Sequence, residues 1–143
     1  MEEYKYILIP IIAILCAQVL KTIIETISTK KFSLERFLNG AGGMPSTHTT
    51  AVVSITTLMY IDYGVTSELF AICLIFSFIV MYDAMGIRYE TGKQAEIINI
   101  LAKKVKLKEG FALLKEQIGH KPIEVFGGIL TGILLTILLN IVI

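Results

Sequence analysis

The strongest constraint on this chain is a set of four apolar stretches, three of which are long enough to cross a lipid bilayer as helices. They lie at about residues 6–27, 46–61, 67–85 and 122–143. A spanning helix needs about 20 mainly apolar residues. A chain of 143 residues that is 55% hydrophobic and 17% charged also carries too much apolar surface for one soluble domain. The sequence therefore predicts a single all-α integral membrane domain with about four transmembrane helices.

The second stretch differs from the others because it is short and half polar. Small polar residues recur on one helical face, at Thr47, Thr50, Ser54 and Thr57. In membranes, residues of this kind lie at contacts between helices. We expect this helix to pack against its neighbours rather than to face lipid.

A fifth segment, at about residues 92–117, has a basic amphipathic pattern. Apolar residues form one helical face and lysines occupy the rest, with Ile97, Ile98, Leu101, Ala102 and Val105 set against Lys103, Lys104, Lys106 and Lys108. This pattern is typical of an interfacial helix, and an anionic lipid surface is its expected partner. A solvated helix packed on a partner protein is the alternative.

Basic residues are concentrated in two connections, which predicts the topology. Lys30, Lys31 and Arg36 follow the first stretch, and most of the other basic residues follow the third. The positive-inside rule makes both connections cytoplasmic and puts both termini outside. The acidic start, Met1-Glu2-Glu3, lacks the basic region of a signal peptide. We therefore expect a multi-pass protein of the cell (inner) membrane.

Charge and composition argue against several other classes of protein. The net charge is +1 and no nucleic-acid module is present, so no nucleic-acid partner is expected. Cys16 and Cys73 lie in apolar runs, away from any ligand-type spacing. The two histidines also lack such spacing, so neither a metal nor another cofactor is expected.

Ionisable residues gather at the predicted cytoplasmic ends of the helices. They are Lys21, Glu25, His48, Asp83, Arg88, His120 and Glu124. Ionisable groups at membrane depth are costly and usually mark function, although helix ends also collect snorkelling charges. We expect one shared site at the cytoplasmic end of the helices.

Two local patterns indicate what this site binds. A glycine-rich loop at residues 39–48 leads into the second helix, and free N–H groups at a helix start suit an anion. The alternative is a turn in which Ser46 only caps the helix. His120 and Glu124 are four residues apart at another helix start, so a carboxylate can hold one ring nitrogen and leave the other as nucleophile or base.

A family resemblance arises from these motifs taken together. Gly43-Met44-Pro45-Ser46-Thr47-His48 resembles the Pro-Ser-Gly-His motif of type 2 phosphatidic acid phosphatases and vanadium-dependent haloperoxidases. The pattern from His120 through Glu124-Val125 to Gly128 and Gly132 is similar to the third motif of that superfamily, with Glu for Asp. The string Asp83-Ala84-Met85-Gly86-Ile87-Arg88, followed by Gly92-Lys93-Gln94-Ala95, resembles its divergent branch. That branch comprises small bacterial and plastid membrane proteins described as acid phosphatase/vanadium-dependent haloperoxidase-related.

The resemblance implies a metal-independent phosphatase that forms a phosphohistidine. In it, His120 is the nucleophile, Glu124 orients His120, and His48 is the general acid. Phosphate oxygens are held by the loop and by nearby cations, with Asp83 in support; these residues are Ser46, Thr47, Gly43, Arg88, Lys93 and Lys21.

The chain departs from the superfamily pattern in its basic residues. The first motif, Lys-x6-Arg-Pro, is absent, and Leu114 stands where an arginine precedes the nucleophile by six residues. Arg88, Lys93 and Lys21 are the candidate replacements. Full-size members also have six spans, so a homodimer would complete the bundle.

Three hypotheses follow. The first is a lipid-phosphate phosphatase at the cytoplasmic face, acting on phosphatidate, phosphatidylglycerophosphate, or polyprenyl phosphates or diphosphates. The second is a non-catalytic phospholipid-binding or lipid-transport protein that retains the anion pocket. The third is a structural membrane subunit whose polar face contacts a partner.

Overall fold

The chain folds into α-helices that follow the predicted apolar stretches. The structure, a computed structural model, describes residues 4–30, 43–105, 113–114, 116 and 119–143. Within these residues the helices are α1 (Lys5–Thr29), α2 (Thr47–Tyr63), α3 (Glu68–Met85), α4 (Ile87–Val105) and α5 (Pro122–Val142).

Among the described residues, three helical runs are long and apolar enough to cross a membrane. They are Lys5–Thr29, Pro122–Val142 and Glu68–Val105, the last of which includes α3. The predicted all-α membrane fold is therefore confirmed. The second predicted span corresponds to α2, which has 17 residues and is about 25 Å long.

The short helix α2 lies in the middle of the bundle and packs against α1, α3 and α5. Its small polar residues face these neighbours, as expected from the sequence. The Thr136 hydroxyl on α5 donates to Ser54 Oγ at 2.6 Å. On the side of α3, the hydroxyls of Thr56 and Ser77 are 2.8 Å apart. These paired hydroxyls allow a polar helix face to be buried without unsatisfied groups.

The first helix presents a single narrow stripe to the bundle. Ile9, Ala13, Ala17 and Lys21 recur every fourth residue and are its buried residues. The two alanines permit a close approach of the neighbouring backbone. The stripe is apolar up to Lys21, which brings one ammonium group inside the bundle at the far end of α1.

The two ends of the bundle differ in chemistry. At one end, Lys5 Nζ lies 2.8 Å from Asp62 Oδ2, and the hydroxyl of Tyr6 donates to that of Tyr63 at 3.2 Å. At the opposite end lie Lys21, residues 43–48, Asp83, Arg88 and His120, which together we call the polar end. The start of α1 therefore meets the end of α2, so these two helices are antiparallel.

The amphipathic segment begins earlier than the sequence predicts. Helix α4 starts at Ile87, directly after the single residue Gly86, rather than near residue 92. Among the described helices it contacts only α3. Its buried residues are Gly92, Ala95 and Asn99. The apolar residues Ile97, Ile98, Leu101 and Val105 are exposed, and Lys106, Lys108 and Lys115 lie outside the described residues.

Glycines set the separation of α2 and α5. A Cβ atom on Gly128 would lie 2.7 Å from the Ser46 carbonyl oxygen and 2.8 Å from Thr49 Cβ. On Gly132 it would lie 3.0 Å from the Thr50 carbonyl oxygen. The Gly128–Gly132 pair is therefore the helix contact that its spacing predicts.

We expect Gly128→Ala to destabilise the protein despite the better helix propensity of alanine. The clash is with backbone, which cannot move without separating the helices, and such overpacking costs about 1–3 kcal/mol against a gain of about 1 kcal/mol. Thermal unfolding in detergent measures the effect, with Leu134→Ala on the exposed face of α5 as the control. A Gly128→Ala protein as stable as the wild type would contradict this packing.

Candidate functional site

The site is built around His120, which lies in the turn just before α5. Its backbone N–H donates to the carbonyl oxygen of Ala84, near the end of α3, at 3.0 Å. Its side chain is only 5% exposed. A backbone hydrogen bond to another helix therefore fixes where this imidazole enters the bundle.

Glu124 holds the His120 ring in one orientation. The Nδ1 atom of His120 lies 2.9 Å from Glu124 Oε2, and the same oxygen accepts the N–H of Lys121 at 3.1 Å. An ionised carboxylate only accepts hydrogen bonds, so Nδ1 carries the proton. The Nε2 atom of the neutral ring then keeps its lone pair, as a nucleophile or base requires.

The charge state of His120 is set by opposing influences. Burial lowers the pKa of His120, the Glu124 hydrogen bond and charge raise it, and the cations Lys21 and Arg88 lower it. The net shift is downward, because burial is the largest cause. The imidazole is therefore mainly neutral at pH 7.

The start of α2 lies directly against the start of α5. The N–H of Ser46 donates to the Glu124 carbonyl oxygen at 3.0 Å. Its hydroxyl oxygen accepts the N–H of Thr49 at 3.4 Å and the Thr49 hydroxyl at 3.0 Å. Ser46 is completely buried. Ser46 therefore caps helix α2, which is the alternative to an anion-binding role in the sequence analysis. Its N–H is bound to Glu124 and is not available to an anion.

Other groups at the start of α2 remain suited to an anion. The N–H groups of Thr47 and His48 open the helix, where no intrahelical acceptor exists. The side chain of His48 is exposed. Gly43 adopts a positive φ of 84°, and a Cβ there would lie 3.5 Å from Lys21 Cδ. Gly43 therefore lies directly against the side chain of the buried lysine.

Two cations approach the histidines from different helices. Lys21 of α1 is 4% exposed and interacts electrostatically with Glu124 and Glu25. The Nε–H of Arg88 donates to Asp83 Oδ2 at 2.6 Å. A guanidinium has five N–H donors, so this bond orients Arg88 without exhausting it.

The electrostatic interactions of His48 show that these residues form one cluster. His48 is within range of Arg88, His120, Lys21 and Asp83. Helices α2, α4 and α5 also begin at the polar end, and each helix N-terminus carries a partial positive charge. The arrangement favours an anion beside two histidines.

The ammonium group of Lys93 is engaged by residues of its own helix. Its ammonium lies 3.3 Å from Glu90 Oε1 and 4.5 Å from the centre of the Tyr89 ring. Residues 31–42, which include Lys31, Arg36 and part of the glycine-rich loop, lie outside the described residues. Within the described part of the chain, no three His, Cys, Asp or Glu side chains are grouped to hold a metal ion.

Sequence reasoning missed the contacts that hold the site together. The Ala84 carbonyl oxygen accepts the N–H of His120, and the Thr49 hydroxyl donates to Ser46. The Asn99 amide binds Leu114, which precedes His120 in the chain. Ala84 and Thr49 carry no sequence signal for these roles. Asn99 does, because it is a polar residue at helical spacing from the small residues Gly92 and Ala95.

Comparisons with known proteins identify the family. A sequence model described as the divergent PAP2 family matches residues 3–135. The chain is 42% identical over 140 residues to the uncharacterized membrane protein YuiD of Bacillus subtilis (strain 168), covering 89% of this chain and 88% of that protein. No solved structure matches the chain. The family expected from the motifs is thereby confirmed.

We expect Glu124→Gln to lower the pKa of His120 further. The substitution removes a negative charge and a strong acceptor, both of which favour the imidazolium. The chain has two histidines, so the His48→Gln background leaves one imidazole to follow by NMR titration in detergent. A His120 pKa that stays the same or rises in the Glu124→Gln protein would show that the pair is not coupled.

Proposed function

Because the chain belongs to the divergent PAP2 family, we propose that it is a membrane lipid-phosphate phosphatase. It hydrolyses a phosphomonoester or diphosphate headgroup, without a metal ion, through a phosphohistidine intermediate. The observation that carries the proposal is the buried His120–Glu124 pair, with Nδ1 2.9 Å from the carboxylate. This pair leaves a neutral Nε2 among positive charges.

In the first step, the Nε2 lone pair of His120 attacks phosphorus. A P–N bond forms while the bond from phosphorus to the leaving oxygen breaks. The negative charge of the bound phosphoryl group favours the imidazolium form of His48, which gives its proton to that oxygen and so releases an alcohol or a phosphorylated alcohol. Glu124 stabilises the positive charge that develops on His120.

In the second step, water hydrolyses the phosphohistidine. His48 is now neutral and takes a proton from the attacking water. The P–N bond breaks, His120 recovers its lone pair, and inorganic phosphate leaves. Both histidines return to their starting protonation states.

The phosphoryl oxygens require positive charge and N–H donors throughout the reaction. Lys21 on α1 and Arg88 on α4 supply the charge. The N–H groups of Gly43, Thr47 and His48 supply donors. We leave Ser46 out of this set because its N–H is bound to the Glu124 carbonyl oxygen.

An apolar groove supports a lipid as the substrate. Two adjoining cavities of about 490 and 670 Å³ share Phe78, Met81 and Ile129, on α3 and α5. The larger one extends to Pro122 and Val125, which flank Glu124 and follow His120. We propose that a hydrocarbon chain of the substrate occupies this groove while its phosphate lies at the polar end.

The exposed face of α4 has the apolar and basic residues expected of a helix that lies on a membrane surface. Its apolar residues include Ile97 and Leu101, which are exposed, and its last turn carries Lys103 and Lys104. We propose that this face lies on an anionic lipid surface, where each lysine contributes about 1 kcal/mol. Phosphorylated lipids would thereby be concentrated near the site.

The direct test is phosphate release by purified protein in detergent with chelator present. We expect release from at least one phosphorylated lipid, and a loss of about a thousandfold or more in His120→Ala because the nucleophile is gone. Gln94→Ala, on the exposed side of α4, is the control. Release that requires a metal or persists in His120→Ala would overturn the mechanism, and lipid binding without release would favour the non-catalytic hypothesis.

A second test examines the groove. We expect Ile129→Trp to reduce kcat/KM for a long-chain lipid phosphate about tenfold. The indole would fill the part of the groove that holds the hydrocarbon chain, and the binding energy of that chain would no longer support catalysis. A short-chain, water-soluble analogue should be hydrolysed at the wild-type rate. Leu130→Trp, at the neighbouring exposed position, is the matched control. Equal losses for both substrates would place the lipid chain elsewhere.

A further inference from the structure

Helix α4 contacts the segment ahead of His120 through one buried amide. The Asn99 Nδ2 group donates to the Leu114 carbonyl oxygen at 2.8 Å, and Asn99 Oδ1 accepts the Leu114 N–H at 2.8 Å. The same Nδ2 group donates to Glu116 Oε1 at 2.8 Å. Asn99 is only 2% exposed. One side chain therefore satisfies both backbone groups of Leu114, as a neighbouring strand would.

A second contact lies next to His120 itself. A Cβ atom on Gly119 would lie 2.3 Å from Tyr89 Cα and 2.4 Å from the Tyr89 nitrogen. The backbone of residue 119 therefore lies directly on the first turn of α4. Helix α4 therefore binds Leu114 and Glu116 and also contacts Gly119, the residue before His120.

These contacts explain why helix α4 buries an asparagine. An unpaired buried amide is costly, whereas a fully paired one permits only the geometry that satisfies it. Asn99 lies on the same face of α4 as Gly92 and Ala95, which are small and bring the backbones close. The face is suited to fixing one position of an adjacent chain.

We infer that Asn99 is a positioning residue for His120. It fixes Leu114 and Glu116 on α4, and so determines where His120 stands beside Glu124. The kinetic consequences of this inference rest on the proposed phosphatase function, but its structural consequence does not.

The structural consequence is measured by NMR titration of His120 in the His48→Gln background. His120 is faced by Lys21 of α1, Arg88 of α4 and Glu124 of α5, and its pKa is lowered on balance. In Asn99→Ala the ring leaves this environment, so we expect its pKa to rise towards the ordinary value. Gln94→Ala on the exposed side of α4 should leave the titration unchanged. An unaltered His120 titration in folded Asn99→Ala overturns the inference, whether or not the protein is a phosphatase.

The kinetic consequence is measured by phosphate release. We expect Asn99→Ala to reduce kcat about tenfold to a hundredfold with little change in KM, as misplacement of a reacting group does. Unchanged kcat in a folded variant would count against the inference. If the wild type releases no phosphate, the proposed function fails, and the imidazole titration still decides the role of Asn99.

A paired substitution guards against a variant that fails to fold. Asn99→Asp puts a carboxylate against Glu116 and removes the donor to the Leu114 carbonyl. Adding Glu116→Gln supplies an amide N–H to that carboxylate and relieves the repulsion. We expect the double variant to recover part of both the kcat and the His120 titration lost in Asn99→Asp. A double variant no better than Asn99→Asp would show that this contact does not position His120.

Discussion

The hydrogen bond from the Ser46 N–H to the Glu124 carbonyl oxygen, 3.0 Å long, is the contact on which the polar end depends. It joins the starts of α2 and α5, and so brings His48 and His120 to the same end of the bundle. The bond can form only because Gly128 has no Cβ, since one there would lie 2.7 Å from the Ser46 carbonyl oxygen. A packing requirement of the membrane helices therefore determines the geometry of the polar cluster. Substitutions of Gly128 and Gly132, which lie outside the cluster of ionisable residues, are expected to alter the site as much as substitutions within it.

Burial of charge at the polar end needs compensation from several helices at once. Lys21 is 4% exposed, and a buried ammonium is costly unless carboxylates are near. Glu124 and Glu25 supply this compensation. Glu124 also orients His120 and is itself fixed by the Lys121 N–H. One carboxylate thus links the charge of α1 to the ring before α5, so a substitution of Glu124 is expected to affect both Lys21 and His120.

Sequence reasoning was accurate where the information is local and incomplete where it is not. Hydropathy located α1, α3 and α5, because membrane-spanning length is a property of one segment. The start of α4 was placed about five residues too late, because only Gly86 separates it from α3 and its first turn has little amphipathic character. The cap at Ser46 was foreseen as an alternative, but the bond of its N–H to Glu124 joins residues far apart in sequence. The same is true of Asn99, because its partner Leu114, which the amphipathic pattern over residues 92–117 would put on the same helix, lies outside any helix.

The position of Leu114 shows how the divergent site differs from the superfamily pattern it resembles. That pattern has an arginine six residues before the nucleophile, and here a leucine stands there with its side chain 43% exposed. Its backbone, rather than its side chain, is bound, by both ends of the Asn99 amide. The position that carries an arginine in the superfamily pattern is thus used here to bind the backbone of residue 114 to α4. In the proposed reaction the missing positive charge comes from Lys21 and Arg88, which belong to other helices. A site assembled in this way depends more strongly on the packing of the whole bundle than one whose cation and nucleophile share a single loop.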